Sequence, residues 1–190
     1  MPAFFGRAVN NVMKTASPDQ TAQWLEETRS FGRHYDYDIT WMEDLLERSP
    51  EAFEAFRGAM AMSGLSRKAP VELAAIARLA ALRVEDCGPC LLLSVKMARE
   101  AGVSEAVIRG TLKGGEGLEG EALEVFRFAR AVAANEPIDE PWRQELETRL
   151  GLDVIAELGV VIAGVRIYPT LKRALGHAKS CSLMPELDVR

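Results

Sequence analysis

From Pro70 to Val84 the chain reads Pro-Val-Glu-Leu-Ala-Ala-Ile-Ala-Arg-Leu-Ala-Ala-Leu-Arg-Val. Leu73, Ile76, Ala77, Ala80 and Val84 recur at helical intervals, so this Ala- and Leu-rich segment is read as a buried helix. Elsewhere helical periodicity also dominates, and no sustained period-2 alternation suggests a sheet. The expected fold class is all-α.

Start and stop signals divide the rest. Ser17 can cap a helix with Pro18 at its first position, and that helix ends near Gly32. Trp41, Leu45 and Leu46 mark a second amphipathic segment. Ser49-Pro50-Glu51 opens a third, with Phe53, Phe56, Met60 and Met62 as its apolar face, and Gly64 and Ser66 break it. After the Pro70–Val84 helix, Asp86-Cys87-Gly88-Pro89-Cys90 interrupts the pattern. Leu91 to Ala101 is helical and stops at Gly102. Ser104-Glu105-Ala106 starts a short helix that ends by Gly110. Residues 113–120 hold four glycines and form a loop; with no strand before them and no Gly-Lys-Ser/Thr ending, they are no phosphate loop. Glu121 to Asn135, Pro141 to Leu150 and Asp153 to Ala178 complete the helices, the last bent near Pro169. Residues 1–65 are expected to form an N-terminal helical arm packing on a core made by residues 66–190.

The 190 residues can bury a sizeable core. A net charge of -5 argues against non-specific nucleic-acid binding, which rests on clustered Lys and Arg. No apolar run approaches the roughly 18 residues that suggest a membrane span. Residues 1–13 lack the pattern of a secretory signal, so the expected location is cytoplasmic. Three cysteines, an odd and low number, do not suit a secreted disulfide framework.

Cys87 and Cys90 are the sharpest feature. Only the thiolate attacks, and an ordinary thiol has a pKa of about 8.5. Asp86 can cap the following helix, and Pro89 sits in its first turn. Both cysteines then lie where unpaired N–H groups and the helix dipole favour an anion. Two intervening residues let the sulfurs close a small disulfide, so one thiol can react and the other resolve. Two alternatives stand beside this. The cysteines can pack as small apolar residues. With His177 and Cys181, four apart on a helix, they can also make a zinc set.

The Cys-Gly-Pro-Cys tetrad is also that of thioredoxins, but those place it after a buried strand, and here an Ala/Leu helix precedes it. A Glu-led apolar helix (Pro70 to Ile76), then Cys87-Gly88-Pro89-Cys90, then Ala101-Gly102-Val103-Ser104-Glu105, resembles the AhpD-like alkylhydroperoxidase and carboxymuconolactone decarboxylase family. The similarity covers about residues 50 to 115 and extends to the helices after it. It implies an AhpD-like helical core and a thiol-dependent peroxidase or disulfide oxidoreductase acting through the Cys-x-x-Cys pair. It further implies that Cys90 attacks and Cys87 resolves. The substrate is then a small hydroperoxide, the reductant an external dithiol such as a lipoyl group, and the assembly a homo-oligomer, trimer or hexamer. No metal or organic cofactor is implied.

Two positions depart from that family. Its active peroxidases carry a His four residues after the second Cys, where this chain has Ser94. They carry a Glu twelve residues before the first Cys, where this chain has Ala75; Glu72 lies three residues earlier, about 4.5 Å of helical rise. Glu72 and Ser94 are therefore the substitute site residues, with Ser94 a poor base. A non-catalytic, diverged helical oligomer of the same superfamily, or a cofactor-free decarboxylase or lactone-acting member, are the competing readings; the latter branch uses no cysteine pair. Glu85 can accept a proton, His34 is a surface or interface residue, and Arg166 and Tyr168 are structural or at a subunit contact. Cys181 is a free thiol, and Met60 and Met62 are core.

Overall fold

In the computed structural model, residues 16–178 are described; Met1 to Met13 and Cys181 lie outside that range. Among the described residues there are nine helices and no strand: α1 (Pro18–Tyr35), α2 (Thr40–Arg48), α3 (Pro50–Ser63), α4 (Val71–Val84), α5 (Gly88–Glu100), α6 (Glu105–Leu112), α7 (Gly120–Ala134), α8 (Glu140–Leu150) and α9 (Leu152–Ala174). The all-α expectation holds. Contacts divide the chain into two units between Phe56 and Arg57, within α3.

In the first unit, Ser17 caps α1 by accepting from the Gln20 N–H at 3.2 Å. The helix does not stop at Gly32. A Cβ there would come within 2.9 Å of Ile39, so Gly32 admits a close neighbour, and α1 runs on to Tyr35. Asp36 ends it in the left-handed conformation, φ 46°. Trp24 meets Phe53, and Trp41 meets Phe56, at centroid distances of 6.0 and 5.3 Å. These are aromatic contacts of ordinary geometry.

The second unit is built around α4. Leu73 to Ala77 and Leu79 to Leu82 are all buried, so the helix is covered on nearly every side. Its alanines allow α5, α6, α7 and α9 to pack against it. Ser104 caps α6 through the Val107 N–H. Gly110 lies inside α6 rather than ending it: a Cβ there would sit 2.8 Å from Leu118 and 2.9 Å from the Glu116 carbonyl. The 113–120 loop folds back at that point.

α9 runs through Pro169 and ends at Ala174, not Ala178. Gly176 at φ 79° and the His177 N–H bonded to the Lys172 carbonyl form a Schellman-type stop. Over an 18-residue window α9 reaches a mean hydropathy of 1.6, long and apolar enough to cross a membrane by length and composition. The sequence expectation concerns unbroken apolar runs, and Glu157 and Arg166 interrupt this helix. The apolar positions are interspersed with glycines and few charges rather than forming one unbroken run. Val154, Leu158, Val161, Ile162 and Val165 of α9 are buried core residues.

Candidate functional site: a dithiol at the start of a buried helix

The connection from α4 to α5 is three residues long. Glu85 caps α4, its N–H bonded to the Ala81 carbonyl. Asp86 follows in the left-handed region, φ 50°, a conformation that Asp tolerates better than most side chains. Cys87 then opens α5 as its N-cap, at φ -114° and ψ 90°. The expected capping role of Asp86 is thus corrected. Asp86 is consumed in reversing the chain, and no side chain caps α5.

Gly88, Pro89 and Cys90 form the first turn, and the Leu91 N–H bonds the Cys87 carbonyl at 2.9 Å. The cysteines therefore occupy the N-cap and the third helical position. Those are the two positions that a capping box pairs. Pro89 brings no N–H, so the N–H groups of Gly88 and Cys90 remain at the helix start. Both are buried thiols outside any disulfide, Cys87 at 1% and Cys90 at 3% exposure.

The two cysteines have different neighbours. Cys87 lines a cavity of about 250 Å³ whose walls come from Leu82 and Arg83 of α4, Asp86, Gly88 and Leu91 at the start of α5, and Leu112 of α6. Cys90 is not among its walls. It lies instead near Tyr168 of α9, close enough to disfavour the phenolate. Burial is the larger cause of the raised Tyr168 pKa; a hydrogen bond with Ser63 and the nearby Arg78 charge oppose it. The Tyr168 hydroxyl lies 3.3 Å from the Ser63 hydroxyl, which donates to the Met60 carbonyl at 2.8 Å. Arg78 Nε donates to the Ser63 carbonyl at 2.9 Å. In the sequence Tyr168 is a phenol placed in a strongly apolar helix, 105 positions from the Ser63 hydroxyl that it meets.

The turn itself is clamped. Arg166 Nε donates to Glu85 Oε1 at 2.6 Å, and Arg173 Nη1 to Oε2 at 2.9 Å. Arg173 Nη2 also donates to the Glu85 carbonyl. Seven residues separate the two arginines, two turns of α9, so they share a face. Burial alone would raise the Glu85 pKa; the hydrogen bonds from Arg173 and Arg166, and their charges, outweigh it and hold the carboxyl below its ordinary value. Glu85 is therefore a fixed anion and a weak base rather than a proton acceptor near neutral pH.

Of the residues chosen from sequence, Cys87, Cys90 and Ser94 share α5. Ser94 is buried one turn beyond Cys90 and, among the described residues, its hydroxyl makes no hydrogen bond to either sulfur. Glu72 does not join them. It is exposed in the first turn of α4, and the twelve residues to Val84 amount to about 18 Å of helix. The connection to Cys87 is too short to bring it back. His177 lies beyond the end of α9, so the helical spacing assumed for a zinc set with Cys181 does not hold. Among the described residues no three His, Cys, Asp or Glu side chains gather to hold a metal ion. His34 packs edge-on against Tyr35 in the first unit, with ring centroids 4.5 Å apart.

Compared with known proteins, the chain matches no family model, no curated protein and no solved structure.

Proposed function

We propose that this chain is a thiol–disulfide oxidoreductase of the AhpD-like kind, in which Cys87 and Cys90 cycle between dithiol and disulfide. The observation that carries the reading is their joint placement at the N-cap and third position of α5, both as buried thiols. One thiolate attacks the outer oxygen of a small hydroperoxide, becomes a sulfenic acid and releases the alcohol. The other thiol condenses with it, forming the disulfide and water. An external dithiol reduces that disulfide by exchange and is itself oxidised. A homo-oligomer accompanies this reading through the same family resemblance.

A second reading has a specific observation behind it. Ser94 stands where the related peroxidases carry His, and Glu72 is remote from the thiols. A diverged helical protein, whose pair forms a disulfide without rapid peroxide turnover, fits that pattern.

Mild peroxide treatment of the full chain tests the proposal. Two titratable thiols should disappear, peptide mapping should join Cys87 to Cys90, and a dithiol should restore both. Thiols that stay reduced, or peroxide turnover that survives the joint replacement Cys87→Ser and Cys90→Ser, would overturn it. A reversible disulfide with negligible turnover would select the second reading.

A further inference from the structure

The cavity at Cys87 carries a cation whose role the dithiol chemistry leaves open. Arg83 is on its wall, at the C-terminal end of α4. Its Nη1 donates to the Thr111 carbonyl at 2.8 Å. That is one of five N–H donors on the guanidinium. Among the described residues no carboxylate lies within ion-pair distance of it. Neighbouring arginines behave differently: Arg166 and Arg173 both hold Glu85, and Arg99 holds Glu105. Arg83 remains an exposed residue; its partial desolvation lowers its pKa, with no acidic neighbour acting against it.

The glycine-rich loop contributes here. Gly114, at φ 84°, brings bare backbone up to the guanidinium; an added Cβ would lie 3.5 Å from Nη1. The loop thus backs the cation without covering it by a side chain. The N–H groups of Gly88 and Cys90 at the start of α5 add further preference for negative charge beside the Cys87 sulfur. Asp86 is the one acidic side chain on the cavity wall and works against an anion. A volume of about 250 Å³ falls below the ~300–1,000 Å³ of sites for drug-sized ligands, so the occupant is small.

We propose that this cavity binds a small carboxylate-bearing hydroperoxide, with Arg83 holding the carboxylate and the outer peroxide oxygen set against Cys87, which takes that oxygen as a sulfenic acid and releases the alcohol. The proposal rests on the dithiol reading of the same site. It reverses the order that the family resemblance implies: Cys87, on the cavity wall, meets the substrate, and Cys90 resolves.

Two alkylating agents that differ in charge test it: iodoacetate, which carries a carboxylate, and neutral iodoacetamide. In each case the Cys87 thiolate displaces iodide and forms a thioether, read at Cys87 by peptide mass spectrometry. A change in thiol pKa alters both rates alike, so their ratio isolates carboxylate binding. Arg83→Gln should lower the iodoacetate-to-iodoacetamide rate ratio about fivefold to tenfold, and Arg83→Lys should restore part of it. Asp86→Asn, which the left-handed position accommodates, should raise the ratio. Ratios that stay fixed in Arg83→Gln and Asp86→Asn overturn the proposal. If peroxide still joins Cys87 to Cys90 in the same preparations, only the carboxylate site has failed. A Cys87 inert to both reagents, with no peroxide-driven disulfide, defeats the dithiol reading and this proposal together.

Discussion

Arg166 Nε and Glu85 Oε1 are 2.6 Å apart, and this contact fastens α9 to the turn that presents Cys87. Arg173 completes the clamp on the other carboxylate oxygen. The sequence separation is 81 residues for the first pair and 88 for the second. The α4–α5 turn is therefore held in shape from outside, rather than by local capping, which α5 lacks. Both ion pairs of this clamp require an ionised Glu85.

That dependence gives the first prediction. The Glu85 carboxyl is held below its ordinary value by the two arginines. Its stabilising contribution is therefore complete above the unfolded-state pKa, about 4.3. It is lost as pH falls from there through the lower folded-state value. Glu85→Gln should cost about 1–2 kcal/mol at pH 7. Urea unfolding of both proteins from pH 7 to pH 3 should show that difference shrinking only below about pH 4.5. A difference that stays constant across the range would mean the clamp contributes through packing and not charge.

A second prediction concerns Tyr168. A neutral phenol near Cys90 can donate to the thiolate and favour it, even though its own ionised form is disfavoured there. Tyr168→Phe should move the pH midpoint of Cys90 alkylation upward and slow the reaction severalfold at neutral pH. It should also remove the contact with Ser63, at about 1 kcal/mol of stability. The Cys87 alkylation profile serves as the control, since Cys87 opens to the cavity instead. Equal shifts at both cysteines would assign the effect to general loosening of α5.

Helix identity and the dithiol were legible in the sequence because both are local signals. The spacing of Leu73, Ile76, Ala77 and Ala80 requires nothing beyond α4, and Pro89 marks the start of α5 by its own geometry. Glycines misled where they serve distant neighbours. Gly32 and Gly110 read as terminators, yet each lies within a helix because Ile39 or Leu118 presses against it. Whether a glycine ends a helix or admits a close approach depends on what the folded chain brings there. Tyr168 reads from sequence as structural or at a subunit contact, and its partner Ser63 comes from α3, which its own helix does not announce. Glu72 was chosen by its distance from the cysteines along the chain, and a straight α4 carries it to the far end.

Gly164 provides the last prediction, on the same principle. A Cβ at this position would lie 2.6 Å from the Ser63 backbone nitrogen and 2.7 Å from Met62 Cβ. Neither is the end of a flexible side chain, so α3 and α9 would have to separate. Gly164 precedes Tyr168 by one helical turn, and the Ser63–Tyr168 contact spans that same crossing. Gly164→Ala should therefore cost about 1–3 kcal/mol, despite the gain of a better helix former. It should also reproduce the alkylation change of Tyr168→Phe at Cys90, because the hydroxyl is drawn away from both Ser63 and the thiol. Gly159, five residues earlier on α9, has nothing within 4 Å of the added Cβ. Gly159→Ala should be neutral or slightly stabilising and leave Cys90 unchanged. Thermal unfolding and the Cys90 pH–rate curve, measured on both variants, separate a tight helix crossing from a general sensitivity of α9 to substitution.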